Sequence, residues 1–193
     1  MSLLSYNRLF SEIRGRRIVA ERDGSAIPVE LLNASSIDIR LGRRALVERH
    51  DDLGDQGQRI IDYRARDQLD VCARVLDPEE GLLVYPGQFL LTESEEVFCL
   101  PNYISAEYKL KSSMARVGLE HLTAGWADAG WNNSVLTLEL KNMTQHHVIR
   151  IRPGDRIGQL TFFEHEEVPR DRSYATRGRY NNDSSVSGAK RSA

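Results

Sequence analysis

The sequence predicts a mainly β protein, a sandwich or distorted barrel with a few short helices. Short apolar segments recur along the chain, and some alternate polar and apolar residues, as over 36–41. Pro-Gly pairs at 86–87 and 153–154 are turn signals between such segments. Many short strands between tight turns are typical of sandwiches and barrels.

The elements can be placed in order along the chain. A short helix is predicted over 5–14, where Leu9, Phe10 and Ile13 share one face and Gly15 ends the helix. Strands are predicted over 36–41, 82–85, 89–92, 97–100, 134–140, 148–151 and 157–163. The polar residues 48–65 are interpreted as a long excursion or hairpin arm.

Length and composition indicate one globular domain with a tail. The 193 residues are enough for one core, so we expect a β domain over 1–167. Residues 168–193 are rich in Arg, Ser, Asn and Gly and predict a flexible C-terminal tail.

Charge and cysteine content exclude several classes of function. The net charge of −2 argues against nucleic-acid binding, and no apolar stretch approaches the roughly 20 residues of a membrane span. Cys72 and Cys99 are far apart, which favours reduced thiols over a zinc site or disulfide scaffold. We expect a cytoplasmic protein.

The segment Lys111-Ser112-Ser113-Met114-Ala115-Arg116 has the residue types of a phosphate site. Two hydroxyls lie between two cations, and a guanidinium binds phosphate through two parallel hydrogen bonds. The pattern also predicts one or two helical turns over 112–117, capped by the serines and ended by Gly118. Spacing alone fits an ordinary capped helix with solvated cations equally well.

Two acids further along are candidates for chemistry. Glu139 shares a predicted strand face with Val135 and Thr137, and there it is either a solvated strand carboxylate or a partly buried general base. Asp128 lies in a turn beside Gly130, where an aspartate is commonly structural. Tryptophans flank that turn and could line a base or sugar pocket.

The sequence lacks the signatures of other nucleotide enzymes. None of the five histidines has the ligand spacing of a zinc deaminase. There is also no Walker-type phosphate loop and no Gly-x-Ser-x-Gly elbow.

Together these segments resemble the dCTP deaminase family of the dUTPase-like superfamily. Six stretches follow the family's motifs in the same order. They lie at 35–42, 86–89, 111–116, 123–131, 137–139 and 153–160. The resemblance implies a distorted jelly roll that assembles as a homotrimer, with active sites between subunits.

The resemblance also implies a reaction, the zinc-independent hydrolytic deamination of dCTP to dUTP. Glu139 would take a proton from water and pass it to the leaving amine. Ser112 and the Ala124 backbone would place that water, and Arg116 would contact phosphate near the carboxylate. Asp128 would bind the deoxyribose 3′-hydroxyl.

Further residues are implied to hold the nucleotide, with Mg²⁺ carried on its triphosphate. Lys111 and Ser113 would bind phosphates, and Thr137 and Leu138 lie beside the catalytic acid. Tyr174, Arg179 and Asp183 fall where the family closes its tail over the nucleotide.

Departures from the family pattern leave three activities open. Lys111 replaces an arginine, and Asp183 falls near the position of a tail glutamine. Ala124-Gly125-Trp126 is similar to bifunctional members, which continue from dCTP to dUMP and pyrophosphate, and also to plain dUTP diphosphatases. The alternatives are therefore a deaminase with or without diphosphatase activity, a dUTP diphosphatase, and a non-catalytic nucleotide-binding paralogue.

Overall fold

The computed structural model describes residues 1–49, 60–62, 64 and 68–190. Within these ranges the protein is mainly β, which confirms the predicted fold class. The strands are β1 (Ser2–Leu3), β2 (Val19–Ala20), β3 (Ile37–Glu48), β4 (Val71–Val75), β5 (Leu82–Val84), β6 (Phe89–Cys99), β7 (Ile104–Leu110), β8 (Leu119–His121), β9 (Trp126–Ala127), β10 (Asn132–Asn142), β11 (Ile149–Ile151) and β12 (Arg156–Glu164). The helices are α1 (Tyr6–Arg14), α2 (Ser112–Arg116) and α3 (Tyr174–Arg177), with a 3₁₀ turn at Val29–Leu31.

Among the described residues, ten strands pair into one antiparallel sheet. Its main path runs β8-β10-β6-β3-β12-β7-β9, with β1, β2 and β4 paired alongside, and β5 and β11 form a separate ribbon. Strand β10 lies between β6 and β8, with Glu139 opposite Leu91 and Leu140 opposite His121. This pairing determines which residues of β6 and β8 lie next to Glu139.

The core fills the concave side of the sheet with large aliphatic and aromatic side chains. Phe98 and Phe162 are fully buried at its centre. Helix α1 covers one end, where Leu9 and Ile13 are buried and Phe10 is partly buried against the same cluster, as predicted. Burial of this apolar surface is the main term that stabilises the fold.

The predicted strands at 89–92 and 97–100 are one continuous strand, β6. Two acids between the predicted strands are buried because they have charged partners. Glu93 accepts from Arg22 at 2.8 Å, and Glu96 accepts from Arg40 at 2.7 Å. The strands that were not predicted are β1, β2, β4, β7, β8 and β9.

Glu96 gives the fold a measurable pH dependence. Burial raises its pKa to about 6, although the hydrogen bond and charge of Arg40 oppose the shift. A raised carboxyl pKa adds stability below the ordinary value of 4.5, and that stability is lost as the pH rises through about 6. We expect the free energy of unfolding of the wild type, relative to Glu96→Gln, to fall by about 2 kcal/mol from pH 4.5 to 7.

Urea unfolding at several pH values measures this difference. Taking the difference between the two proteins cancels the titration of every other group, including Asp23 and Asp77, whose lowered pKa values act in the opposite direction. A difference that stays constant with pH would contradict the role given to Glu96.

The predicted excursion over 48–65 lies largely outside the described residues. The strands on either side of it are described, and they pair with each other, Glu48 opposite Val71.

The C-terminal segment packs on the body of the same chain. Trp131 Nε1 donates to the carbonyl of Tyr180 at 2.9 Å, and the Val135 N–H donates to the carbonyl of Asp183 at 2.8 Å. The Val186 N–H reaches Glu93 at 2.8 Å. The structure thus describes a docked tail, and its predicted flexibility stays a prediction.

Candidate active site

A cavity of about 530 Å³ opens between β10, β6, the loop around Asp128 and the C-terminal tail. Most of its wall is apolar or aromatic, with a few polar groups at fixed places, which is typical of ligand sites. It is lined by Gln68, Leu69, Val71, Phe89, Leu91, Ala124, Trp126, Ala127, Asp128, Trp131, Val135, Leu136, Thr137, Glu139, Tyr174, Tyr180, Asp183, Ser187, Gly188 and Ala189.

Strand β10 presents Glu139 to this cavity together with Val135 and Thr137. The opposite face carries Leu138 and Leu140, both fully buried in the core. The predicted alternation holds for Leu138, Glu139 and Leu140 but is wrong for Leu136, which was expected on the core face and lines the cavity, beside a bulge between Val135 and Thr137. The Leu138 side chain points away from the cavity, so any contact of this residue with a ligand would come from its main chain.

Glu139 is neither free in solvent nor fully paired. Its side chain is 26% exposed, and its Oε2 lies 3.1 Å from Nε2 of the buried His121. The approach is close but poorly aligned, so Oε2 has no hydrogen-bond partner within the described part of the chain. Glu139 also lines the cavity, and a carboxylate beside a ligand site can accept a proton.

The loop before β10 holds Asp128 at the opposite wall. Trp126 Nε1 donates to Asp128 Oδ1 at 2.9 Å, which fixes the carboxylate. The Trp131 N–H donates to the Asp128 carbonyl at 3.1 Å, which closes the predicted turn. Both tryptophans line the cavity, as the sequence indicates, and Ala124 lies on the same wall.

The tail contributes Tyr174 and Asp183 to the cavity. Burial raises the pKa of Tyr174, so its hydroxyl stays protonated as a hydrogen-bond donor. Asp183 pairs with Lys190 and accepts from Ser187 Oγ at 3.2 Å. Lys190 thus neutralises the acid that departs from the family pattern.

Arg179 does not line the cavity. It donates to the Lys190 carbonyl at 3.1 Å, and its guanidinium lies 5.9 Å from the centre of the Tyr180 ring.

The segment 111–116 lies outside this cavity in the same chain. Ser112, Ser113 and Arg116 are exposed. Lys111 is the N-cap of α2, and no side chain caps the helix. The predicted serine cap is therefore wrong, because both serines lie inside the helix rather than at its cap.

Lys111 instead pairs with a buried acid. Its Nζ lies 2.7 Å from Oδ1 of Asp38, which is 2% exposed and also accepts from Asn33 at 2.7 Å. The end of α2 does follow the prediction, since Gly118 has a φ of +87° and donates to the Ala115 carbonyl at 3.0 Å.

The charge of the cavity is one-sided. It contains the carboxylates of Asp128, Glu139 and Asp183, and none of the described residues that line it is a lysine or arginine. A triphosphate would require cations from elsewhere, because like charges repel. The predicted cations lie on α2, outside the cavity.

Three residues of this region were not predicted as site residues. His121 contacts Glu139, Tyr108 packs on His121 with ring centres 4.6 Å apart, and Tyr180 lines the cavity. His121 could have been found from the sequence, because it precedes the predicted site residue Ala124 by only three positions. The position of Tyr108 depends on strand pairing, which the sequence does not show.

No group of three or more metal-ligating side chains occurs among the residues that the structure describes. Within the same ranges, no helix has the length and apolar character needed to cross a bilayer. The independence from zinc stays a prediction.

A mainly antiparallel β fold with a carboxylate in an aromatic-walled cavity defines the class of small-molecule-binding β proteins, and comparison with known proteins identifies the family. A family model described as dCTP deaminase-like matches residues 4–165. The chain belongs to the dCTP deaminase-like family, as the sequence motifs indicate.

Two curated relatives show the range of similarity. A Methanospirillum hungatei protein named dCTP deaminase, dUMP-forming, is 41% identical over 140 residues, which cover 72% of this chain and 71% of that protein. A Beutenbergia cavernae protein of the same name is 34% identical over 176 residues, covering 90% of this chain and 85% of that protein.

A solved structure shares the fold. The crystal structure of 2′-deoxycytidine 5′-triphosphate deaminase from Agrobacterium tumefaciens matches with a TM-score of 0.62 and 24% identity, covering 83% of this chain. The present chain spans 47% of that longer one.

Proposed function

We propose that this protein is a dUMP-forming dCTP deaminase. The observation that carries the proposal is the position of Glu139, a partly buried carboxylate that lines a cavity together with Asp128 and Ala124. Relatives up to 41% identical bear this name. The reaction would take place in the cytoplasm.

The chemistry needs one group that first accepts and then donates a proton. Glu139 takes a proton from water as the hydroxide attacks C4 of cytosine, and then gives it to the amine as the C4–N bond breaks. Ammonia leaves, and the base becomes uracil. In a second step, water cleaves between the α- and β-phosphates, so that dUTP yields dUMP and pyrophosphate.

The walls of the cavity suit a pyrimidine deoxynucleoside. The indoles of Trp126 and Trp131 offer rigid apolar surface to base or sugar, and Asp128, held by Trp126, can accept from the 3′-hydroxyl. Ala124 and Thr137 lie on the walls beside Glu139. Tyr174 and Asp183 of the tail complete the enclosure, which excludes water from the reacting atoms.

The missing positive charge supports a homotrimer with shared sites. Ser112, Ser113 and Arg116 are exposed on a chain whose own cavity is acidic. Two exposed apolar side chains lie next to α2. Val117 is 53% exposed, and Met143, whose N–H donates to the Gly118 carbonyl, is 59% exposed. Such a surface is typical of a subunit interface. A neighbouring copy would bring Ser112 and Arg116 to Glu139.

The metal requirement follows from the substrate. Mg²⁺ enters bound to the triphosphate and offsets its charge, and no protein side chain need ligate it. Zinc has no part in the proposed reaction. Lys111 and Ser113 of the neighbouring copy would hold phosphate oxygens.

Product analysis with dCTP and dUTP side by side tests the proposal. Purified protein with Mg²⁺ should release ammonia and form dUMP and pyrophosphate from dCTP, as resolved by ion-exchange chromatography. Accumulation of dUTP would indicate a deaminase without the second step. Pyrophosphate from dUTP without ammonia from dCTP would indicate a diphosphatase, and binding without turnover would indicate a non-catalytic paralogue.

A further inference from the structure

Tyr108 has a buried hydroxyl without a protein partner. The residue is 3% exposed, and its Oη makes no hydrogen bond within the described ranges. Its ring packs between His121 and Gly158, where an added Cβ would lie 2.2 Å from Oη. A buried unsatisfied hydroxyl is destabilising, so its presence calls for an explanation.

A complementary unsatisfied group lies in the same region. Glu139 Oε2 is buried and has no hydrogen-bond partner among the described residues. Both groups adjoin His121, whose ring packs on Tyr108 and whose Nε2 is 3.1 Å from Oε2. One group is a donor and the other an acceptor.

The hydroxyl remains a donor at all working pH values. Burial raises the pKa of Tyr108, and the nearby charge of Glu139 raises it further. The two groups do not bond directly. A buried water needs two to four polar partners, and Tyr108, His121 and Glu139 offer three.

We propose that Tyr108 is a positioning residue of the deamination site, which donates through one buried water to Glu139 Oε2 and holds that carboxylate towards the cavity. This inference rests on the proposed function. A bridging water is nearly as good enthalpically as a direct hydrogen bond.

Other titratable groups around Glu139 remain when the hydroxyl is removed. His121 faces it from β8, and Asp128 and Asp183 line the same cavity from the loop and the tail. Tyr174 of the tail also lines it. Tyr108→Phe changes none of them and deletes only one oxygen.

Steady-state kinetics of Tyr108→Phe with dCTP test the proposal. We expect kcat to fall about tenfold, the effect of losing one hydrogen bond worth about 1.4 kcal/mol, while KM changes less than about twofold because no substrate contact is lost. Tyr103→Phe, outside the cavity lining, is the matched control and should keep wild-type kinetics.

Two outcomes would overturn the inference. A Tyr108→Phe protein with wild-type kcat and a higher melting temperature would show that the hydroxyl is merely buried. A crystal structure of the unmodified protein with no water within about 3.2 Å of both Oη and Oε2 would also overturn the inference. This measurement does not depend on the folding of the variant. Absence of ammonia from the wild type would instead refute the proposed function.

Discussion

Replacing Glu139 with glutamine is expected to lower kcat for ammonia release from dCTP by about 10³-fold, within the range for loss of a general acid–base group. Glutamine keeps the shape of the side chain and some of its hydrogen bonding, but it cannot accept the proton of the attacking water. Nucleotide affinity should remain, because the cavity walls and the tail are unchanged. Calorimetric titration with dCTP would show binding without turnover.

Glu107→Gln is the matched control for this substitution. Glu107 also lies on a strand, pairs with Lys109 at 2.8 Å and does not line the cavity. It should retain wild-type kcat. Turnover by Glu139→Gln at more than a few per cent of the wild-type rate would assign the proton transfer to another group.

The cavity face of β10 could be predicted because it depends on local alternation alone. Thr137 and Glu139 alternate with Leu138 and Leu140 of the core face, and a strand places alternate residues on opposite sides regardless of its neighbours. The alternation fails at Leu136, which lines the cavity beside a bulge. The Asp128 turn was likewise local, since a glycine and a short polar side chain specify it. Both predictions are confirmed as geometry, while the roles of these residues stay predictions.

The other walls depend on pairing across long sequence distances. Leu91 lies opposite Glu139 because of the β6–β10 register, which includes bulges that no local pattern reveals. Tyr180 reaches the cavity because the tail bonds to Trp131 and Ser134. Neither contact leaves a signal in the periodicity of the sequence.

The polar residues in the middle of β6 also depend on partners that are distant in the sequence. Glu93 and Glu96 interrupt the apolar pattern, so two short strands were predicted where the structure has one. They are buried because Arg22 and Arg40 approach from other segments. A charge buried by pairing cannot be told from an exposed one until its partner is known.

Mixing two inactive variants should restore activity if the sites are shared between subunits. Glu139→Gln and Arg116→Ala each remove one component of the site, and each should be inactive alone. In trimers assembled at random from equal amounts, about a quarter of the interfaces pair an intact Glu139 with an intact Arg116 of the neighbour. Co-expression with two affinity tags, followed by an ammonia assay, should therefore recover about a quarter of the wild-type activity per interface.

A second pair of variants makes this result specific. Asp128 and Glu139 line one cavity of one chain, so a mixture of Glu139→Gln with Asp128→Asn contains no intact site in any arrangement of subunits. It should stay inactive under the same conditions.

Equal recovery in both mixtures, or none in the first, would contradict a shared site. We expect the two mixtures to differ because of the charges that line the cavity. The cavity is lined by three carboxylates, of which Asp183 is paired with Lys190, and by no lysine or arginine among its described lining residues. In the proposed trimer, a neighbouring copy would therefore add the exposed Arg116 as a cation for the triphosphate.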